Sequence, residues 1–138
     1  MPVTYEILDA PEAVLARYTG VVSLSEITTM FRDYMRDDCF SLSRPHIADI
    51  RDFDSQNVGF AEIYSLFSMY GRCYSKTGER MRVAIIAPNE VAFGISRIFK
   101  NLTEQSDWAS AAIFESLDDA KSWIEANTCT APLNKSYS

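Results

Sequence analysis

Short apolar runs broken by polar punctuation open the chain, and apolar positions at helical spacing follow them. Thr4 to Leu8 and Ala13 to Gly20 are rich in Val, Ile, Leu and Tyr and flank Asp9-Ala10-Pro11-Glu12, residue types that suit a turn, so the pattern predicts a β-hairpin. Ser23 with Glu26 three residues on forms a capping box, and Leu24, Ile27, Phe31, Tyr34 and Met35 recur at helical spacing as far as the polar Arg36-Asp37-Asp38. Proline disfavours helix in the residue before it, so Arg44-Pro45 leads into a short strand, His46-Ile47-Ala48-Asp49-Ile50. A second helix is predicted from about Val58 to Tyr74, and Lys76-Thr77-Gly78-Glu79 is a loop. Met81 to Ala87 is a nearly unbroken apolar run, as in a central strand covered on both faces. Pro88-Asn89 opens a third helix with Val91, Ile95, Ile98, Phe99 and Leu102 on one side. Ala111 to Phe114 is a last strand, and Ser116 with Asp119 caps a fourth helix bearing Leu117, Ala120, Trp123 and Ile124.

The predicted order is β-β-α-β-α-β-α-β-α. Each later strand is joined to the next through a helix, so the two pair in parallel by right-handed crossovers. The fold class is α/β, a single-layer mixed sheet of about five strands flanked by about four helices. A chain of 138 residues fits one domain. That domain is placed at residues 1 to 126, with 127 to 138, polar and aperiodic, as a flexible tail.

Composition narrows the function. Hydrophobic residues at 47% and charged residues at 23% are the ordinary globular mixture, with no membrane span. Nineteen acidic side chains against 13 basic ones give a net charge of -6, which repels polyanions, so nucleic acid is not an expected partner. Met1 to Glu6 has neither a basic nor an apolar leader segment, so the expected location is cytoplasmic. Cys39, Cys73 and Cys129 form no C-x-x-C pair and His46 is the lone histidine, which argues against a zinc site and for reduced thiols acting as small apolar residues. Neither G-x-G-x-x-G nor G-x-x-x-x-G-K-[ST] occurs, and no cofactor is expected. His46 is expected as a surface or edge histidine with no nameable triad partners, and Gly94 as a point of close helix packing.

The hairpin start, Arg82-Val83-Ala84-Ile85-Ile86-Ala87-Pro88, and the stretch Ala112 to Ile124 together resemble the SpoIIAA-like proteins, a branch of the STAS-like fold of bacterial anti-anti-sigma factors. The resemblance covers residues 3 to 126. It implies a regulatory or binding module rather than an enzyme, with a protein partner in some members and a lipid or other apolar ligand in others. STAS domains carry an Asp-Ser pair followed closely by a glycine at the start of the second helix, and that serine can be phosphorylated. Here the pair is Asp54-Ser55, with Gln56, Asn57 and Val58 before Gly59. If Gly59 matches the family glycine, Asn57 or Val58 fills the hydroxyl position.

Ligands of open α/β sheets gather beyond the carboxyl ends of the parallel strands, which here collects Arg51 to Asn57, Pro88-Asn89-Glu90 and Glu115-Ser116. Asp52, Asp54, Ser55 and Asn57 are therefore candidates for binding a partner. On the plainer structural alternative, Asn57 or Ser55 caps helix two, Asp52 and Asp54 sit near its positive end, and Arg51 pairs with one of them. A receiver-like metal site on Asp49, Asp52 and Asp54 does not suit a first strand that enters a hairpin or a last one that ends in Glu115-Ser116. Helix two carries Phe60, Ile63, Tyr64, Leu66, Phe67, Tyr70, Cys73 and Tyr74 over an arc of roughly 180°, against about 100° for an ordinary surface helix. The surplus must meet another helix, a second copy or an apolar molecule. Two expectations follow. The first is a non-enzymatic module that binds a protein partner or itself, as a homodimer, through helix two and its loops, with Phe60, Tyr64, Phe67 and Tyr70 in contact. The second is a carrier of a small apolar ligand or lipid, with its cavity between helix two or three and the sheet.

Overall fold

The computed structural model describes residues 2–128 and forms a five-stranded sheet with four helices, the predicted α/β architecture. Strands β1 (Val3–Asp9) and β2 (Glu12–Val21) pair antiparallel with Asp9 opposite Glu12, so Ala10-Pro11 alone makes the turn. Helix α1 (Leu24–Met35) starts with the capping box intact: the Glu26 N–H donates to Ser23 Oγ at 3.3 Å, and the Ser23 N–H donates to Glu26 Oε1 at 2.8 Å. Then come β3 (His46–Asp54), α2 (Phe60–Tyr74), β4 (Met81–Ile86), α3 (Glu90–Glu104), β5 (Ala109–Phe114) and α4 (Leu117–Thr128). Asn89 caps α3 through the Ala92 N–H at 2.9 Å, and Ser116 accepts from the Asp119 N–H at 3.2 Å, as their side chains predict. Helix α4 runs two residues past the predicted domain end at 126. The rest of the predicted tail, with Cys129, lies outside the described residues.

The strands lie side by side in chain order, β1-β2-β3-β4-β5, and every pair after the hairpin is parallel. Because the order never reverses, three right-handed crossovers carry α1, α2 and α3 to the same face. Helix α4 follows the last strand and covers the other. Side-chain alternation shows both faces: Ala13, Leu15, Ile47, Ala84 and Ile86 pack with Ala120 and Ile124 of α4, while Val14, Ile50, Val83 and Ile85 pack toward Phe31, Tyr70 and Phe99.

Strand β3 is longer than the expected His46 to Ile50. Thr19, Gly20 and Val21 of β2 give Asp52, Phe53 and Asp54 a partner edge, so the polar stretch pairs as strand. A bulge sits in this ladder: Arg17 opposes Asp49 and Thr19 opposes Asp52, leaving two β3 residues against one of β2. The extra residue reverses the parity of the strand, so Phe53 joins Ala48 and Ile50 on the three-helix face.

Asp54 accepts from the Gln56 N–H at 3.1 Å and starts a single 3-10 turn at Ser55–Asn57. Neither Ser55 nor Asn57 caps α2. Its N-cap is Gly59, whose N–H donates to Glu62 Oε1 at 2.8 Å. A Cβ on Gly94 would meet nothing within 4 Å, so the close packing expected there is absent. Gly71 is the tight position instead, where a Cβ would lie 3.1 Å from Trp108.

Candidate functional site

Between the sheet and the three-helix layer lies a cavity of about 100 Å³. Its floor is Ala16 and Tyr18 of β2, Ala48, Ile50 and Phe53 of β3, and Val83 and Ile85 of β4; Ile27, Met30, Ile63, Leu66, Tyr70, Ile95, Ser96 and Phe99 descend from the helices. Ala16 and Ala48 are direct partners across the β2–β3 ladder. Two methyl groups thus stand side by side where longer side chains would fill the space, and a close-packed interior does not leave such a gap without that pairing.

No carboxylate, ammonium or guanidinium lines the cavity. Its polar members are Tyr18, His46, Tyr70 and Ser96. The Ser96 hydroxyl donates to the Ala92 carbonyl at 2.8 Å and is satisfied within its helix. His46 Nε2 lies 3.3 Å from the Tyr74 hydroxyl, and burial, then the neighbouring Arg44 charge, lowers the His46 pKa to about 4, so the ring is neutral. His46 is therefore an interior residue, not the expected surface or edge one. It sits against Phe31 and Tyr34, with ring centroids 6.0 Å away in each case.

The two remaining hydroxyls stand apart. Tyr34 donates to the Ser41 carbonyl at 3.1 Å and Tyr5 to Asp37 at 2.8 Å, but neither Tyr18 nor Tyr70 meets a hydrogen-bond partner among the described residues. Burial raises the Tyr18 pKa to about 12. Burial first, then the neighbouring Tyr18, holds the Tyr70 phenol well above its usual range. Both are neutral phenols at any physiological pH.

The predicted residues scatter around this cavity. Tyr70 lines it and is 5% exposed. Phe67 packs on Trp108 at 4.6 Å between ring centroids and on Phe99 at 5.9 Å, closing the seam between α2 and α3. Phe60 and Tyr64 are 61% and 52% exposed and stack on each other at 6.0 Å. Asp52, Asp54 and Asn57 are exposed and Ser55 is half-buried, at the carboxyl edge of the sheet. The wide apolar arc of α2 therefore has three destinations: core, cavity wall and open surface.

Arg51 pairs with Asp49, not with Asp52 or Asp54: its Nε and Nη2 reach the Asp49 carboxylate at 2.9 and 2.6 Å, and Arg17 stands 3.7 Å away. Burial pushes the Asp49 carboxyl upward, but the bonds from Arg51 outweigh it and keep the group below the usual carboxylate range. Among the described residues, no three His, Cys, Asp or Glu side chains are placed to hold a metal ion. No helix among them is long and apolar enough to cross a membrane.

Sequence reasoning missed Tyr18, Phe53, Ala16, Ala48 and His46 as cavity residues. Only the strand register brings them together, and a cross-strand pair of alanines leaves no mark along the chain.

The chain is similar in structure to an uncharacterised protein of the DUF3478 family with a SpoIIAA-like fold from Shewanella loihica PV-4, solved in a crystal. The two share 17% sequence identity, the match covers 88% of this chain and 90% of the other, and the TM-score is 0.53. No protein-family model and no curated protein matches the chain. The likeness is one of fold: this chain has the SpoIIAA-like architecture.

Proposed function

We propose that the protein is a non-enzymatic binding module whose three-helix face takes up a small apolar molecule. The observation that carries this reading is the cavity of about 100 Å³, with an apolar lining and no charged side chain. Apolar protein cavities of roughly 150 Å³ admit benzene, so the space suits a body about the size of one small ring. Longer ligands would need the helices to part. Native mass spectrometry of gently purified protein tests the reading: retained mass that leaves on denaturation is expected. A bare chain mass, together with no rise in melting temperature against a panel of small hydrocarbons and ketones, would overturn it.

A second reading is favoured by the Phe60–Tyr64 stack on the exposed side of α2, close in sequence to the 3-10 turn. Two stacked rings in water suit association with a second copy or a protein partner. Sedimentation of the wild type beside Phe60→Ser/Tyr64→Ser decides it; a wild-type monomer at high concentration, with no protein partner recovered, removes its support.

A further inference from the structure

We propose that the molecule held in the cavity is a small uncharged carbonyl compound, whose oxygen accepts hydrogen bonds from the Tyr18 and Tyr70 hydroxyls. This rests on the apolar-cavity reading above and adds the chemistry of the ligand to it.

Two independent features of the cavity lead to the same ligand. Its walls offer no charge to pair with a carboxylate, ammonium or phosphate, and His46 beside them is neutral. A charged ligand would be desolvated there without compensation, which costs far more than a ring-sized contact returns. Against that apolar lining stand two phenol groups without a partner among the described residues, one of them 5% exposed. Neither hydroxyl is sealed in the core: among the described residues the buried side-chain atoms left without a partner are Arg44 Nε and Arg82 Nε, so both phenols stay open to a molecule in the cavity they line. Tyr18 and Tyr70 line the same cavity, Tyr18 on the β2 floor and Tyr70 on α2 above it. Each phenol has one hydrogen to donate. A carbonyl oxygen has two lone pairs and brings no hydrogen of its own, so one such atom answers both groups. An alcohol would bring a third hydrogen that also needs an acceptor.

Phenylalanine at these positions would enclose the same space without the oxygens. The Phe31 ring lies 4.9 Å from the Tyr70 ring, and Phe99 lies 6.3 Å from it, so the surroundings already suit an unsubstituted ring. The hydroxyl is what the packing does not explain.

The test uses three probes of nearly equal shape, cyclopentanone, methylenecyclopentane and cyclopentanol, and one larger charged probe, cyclopentanecarboxylate. Each is titrated into the full chain while amide shifts are followed by NMR. The ketone is expected to bind about three- to tenfold more tightly than the hydrocarbon, the worth of one or two net hydrogen bonds. The carboxylate is expected to be the weakest. In Tyr70→Phe the ketone's advantage should shrink to that of one hydrogen bond, since Tyr18 still donates, and in the double variant Tyr18→Phe/Tyr70→Phe it should vanish, while the hydrocarbon's affinity stays within about twofold because the rings remain. Tyr18→Phe repeats the comparison should the first variant fold poorly. Equal affinities for ketone and hydrocarbon in the wild type, or an advantage undiminished in the double variant, would overturn the carbonyl assignment and leave the apolar cavity standing. Tightest binding of cyclopentanol or of the carboxylate would overturn it as well. If none of the four binds, the cavity reading falls with it.

Discussion

Replacing Tyr70 by phenylalanine removes one oxygen from the wall of the cavity and leaves every ring contact in place. The Tyr70 hydroxyl has no hydrogen-bond partner among the described residues, yet it opens on the cavity and is not among the sealed, unpartnered atoms of the interior. The full penalty of about 1 to 3 kcal/mol for a sealed, unbonded group therefore does not apply to it, and the slightly larger cavity left by its removal costs a few tenths. Tyr70→Phe is therefore expected to leave stability within about 0.5 kcal/mol of the wild type, or about 2 °C in melting temperature for a domain of this size. Tyr74→Phe is the internal control. Its hydroxyl lies 3.3 Å from His46 Nε2 in the interior, so deletion orphans a buried nitrogen and should cost about 1 to 3 kcal/mol. Tyr34→Phe should also cost stability, because its hydroxyl donates to the Ser41 carbonyl and accepts from Arg44 Nη1 at 3.4 Å. Thermal and urea unfolding followed by circular dichroism at pH 7 gives the ranking directly. Should Tyr70→Phe lose as much stability as Tyr74→Phe, the Tyr70 hydroxyl has a partner within the fold and the argument for a ligand at that oxygen collapses. Tyr70→Phe should also show weaker ketone binding in the NMR titration.

Three further outcomes are expected. His46 holds a proton in the unfolded chain below pH 6.5 but in the folded one only below about 4, so stability should fall by up to about 3 kcal/mol as pH drops through that window. His46→Gln, measured by urea unfolding between pH 7 and 4, should flatten this slope, and an unchanged slope would mean that the ring is not held neutral. Gly94→Ala should stabilise by about 0.5 to 1 kcal/mol, since its methyl meets nothing within 4 Å. Gly71→Ala should fall below the wild type, because its methyl would meet Trp108 at 3.1 Å and that ring is held between Phe67 and Tyr74; equal gains in thermal unfolding would refute the difference. Ala48→Leu should fill the cavity floor and abolish cyclopentanone binding with a native amide spectrum, whereas unchanged affinity in the same NMR titration would place the ligand elsewhere.

Local chemistry made most of the fold legible. The Ser23–Glu26 box, Asn89 and Ser116 name the starts of α1, α3 and α4 because a cap acts over three residues. The run Met81 to Ile86 announces a doubly covered strand by composition alone. Beyond Ile50 the strand was hidden, since Arg51, Asp52 and Asp54 read as a connection, and only the distant edge at Thr19 to Val21 makes them strand. His46 looked superficial because it follows Pro45, while its burial comes from Phe31, Tyr34 and Tyr74, residues from two helices that the chain order does not place near it. The surplus of rings on α2 pointed to something beyond an ordinary core. Of the four aromatic candidates on that helix, only Tyr70 lines the cavity, because the direction of each ring depends on how α2 settles between α1 and α3. The phenol of Tyr18 lay outside any motif, in a hairpin strand whose register alone brings it beneath α2.

Strand order without reversal has one more result. With α1, α2 and α3 on one side and α4 alone on the other, the molecule has a back of one helix and a front of three. The back is clamped by small residues, Ala13, Ala84 and Ala120, that let helix and sheet approach closely. The front is a set of three staves, each tied to its neighbours only through loops and side chains. Substitutions along the staves therefore change the outline of the chamber, to which α4 contributes no side chain.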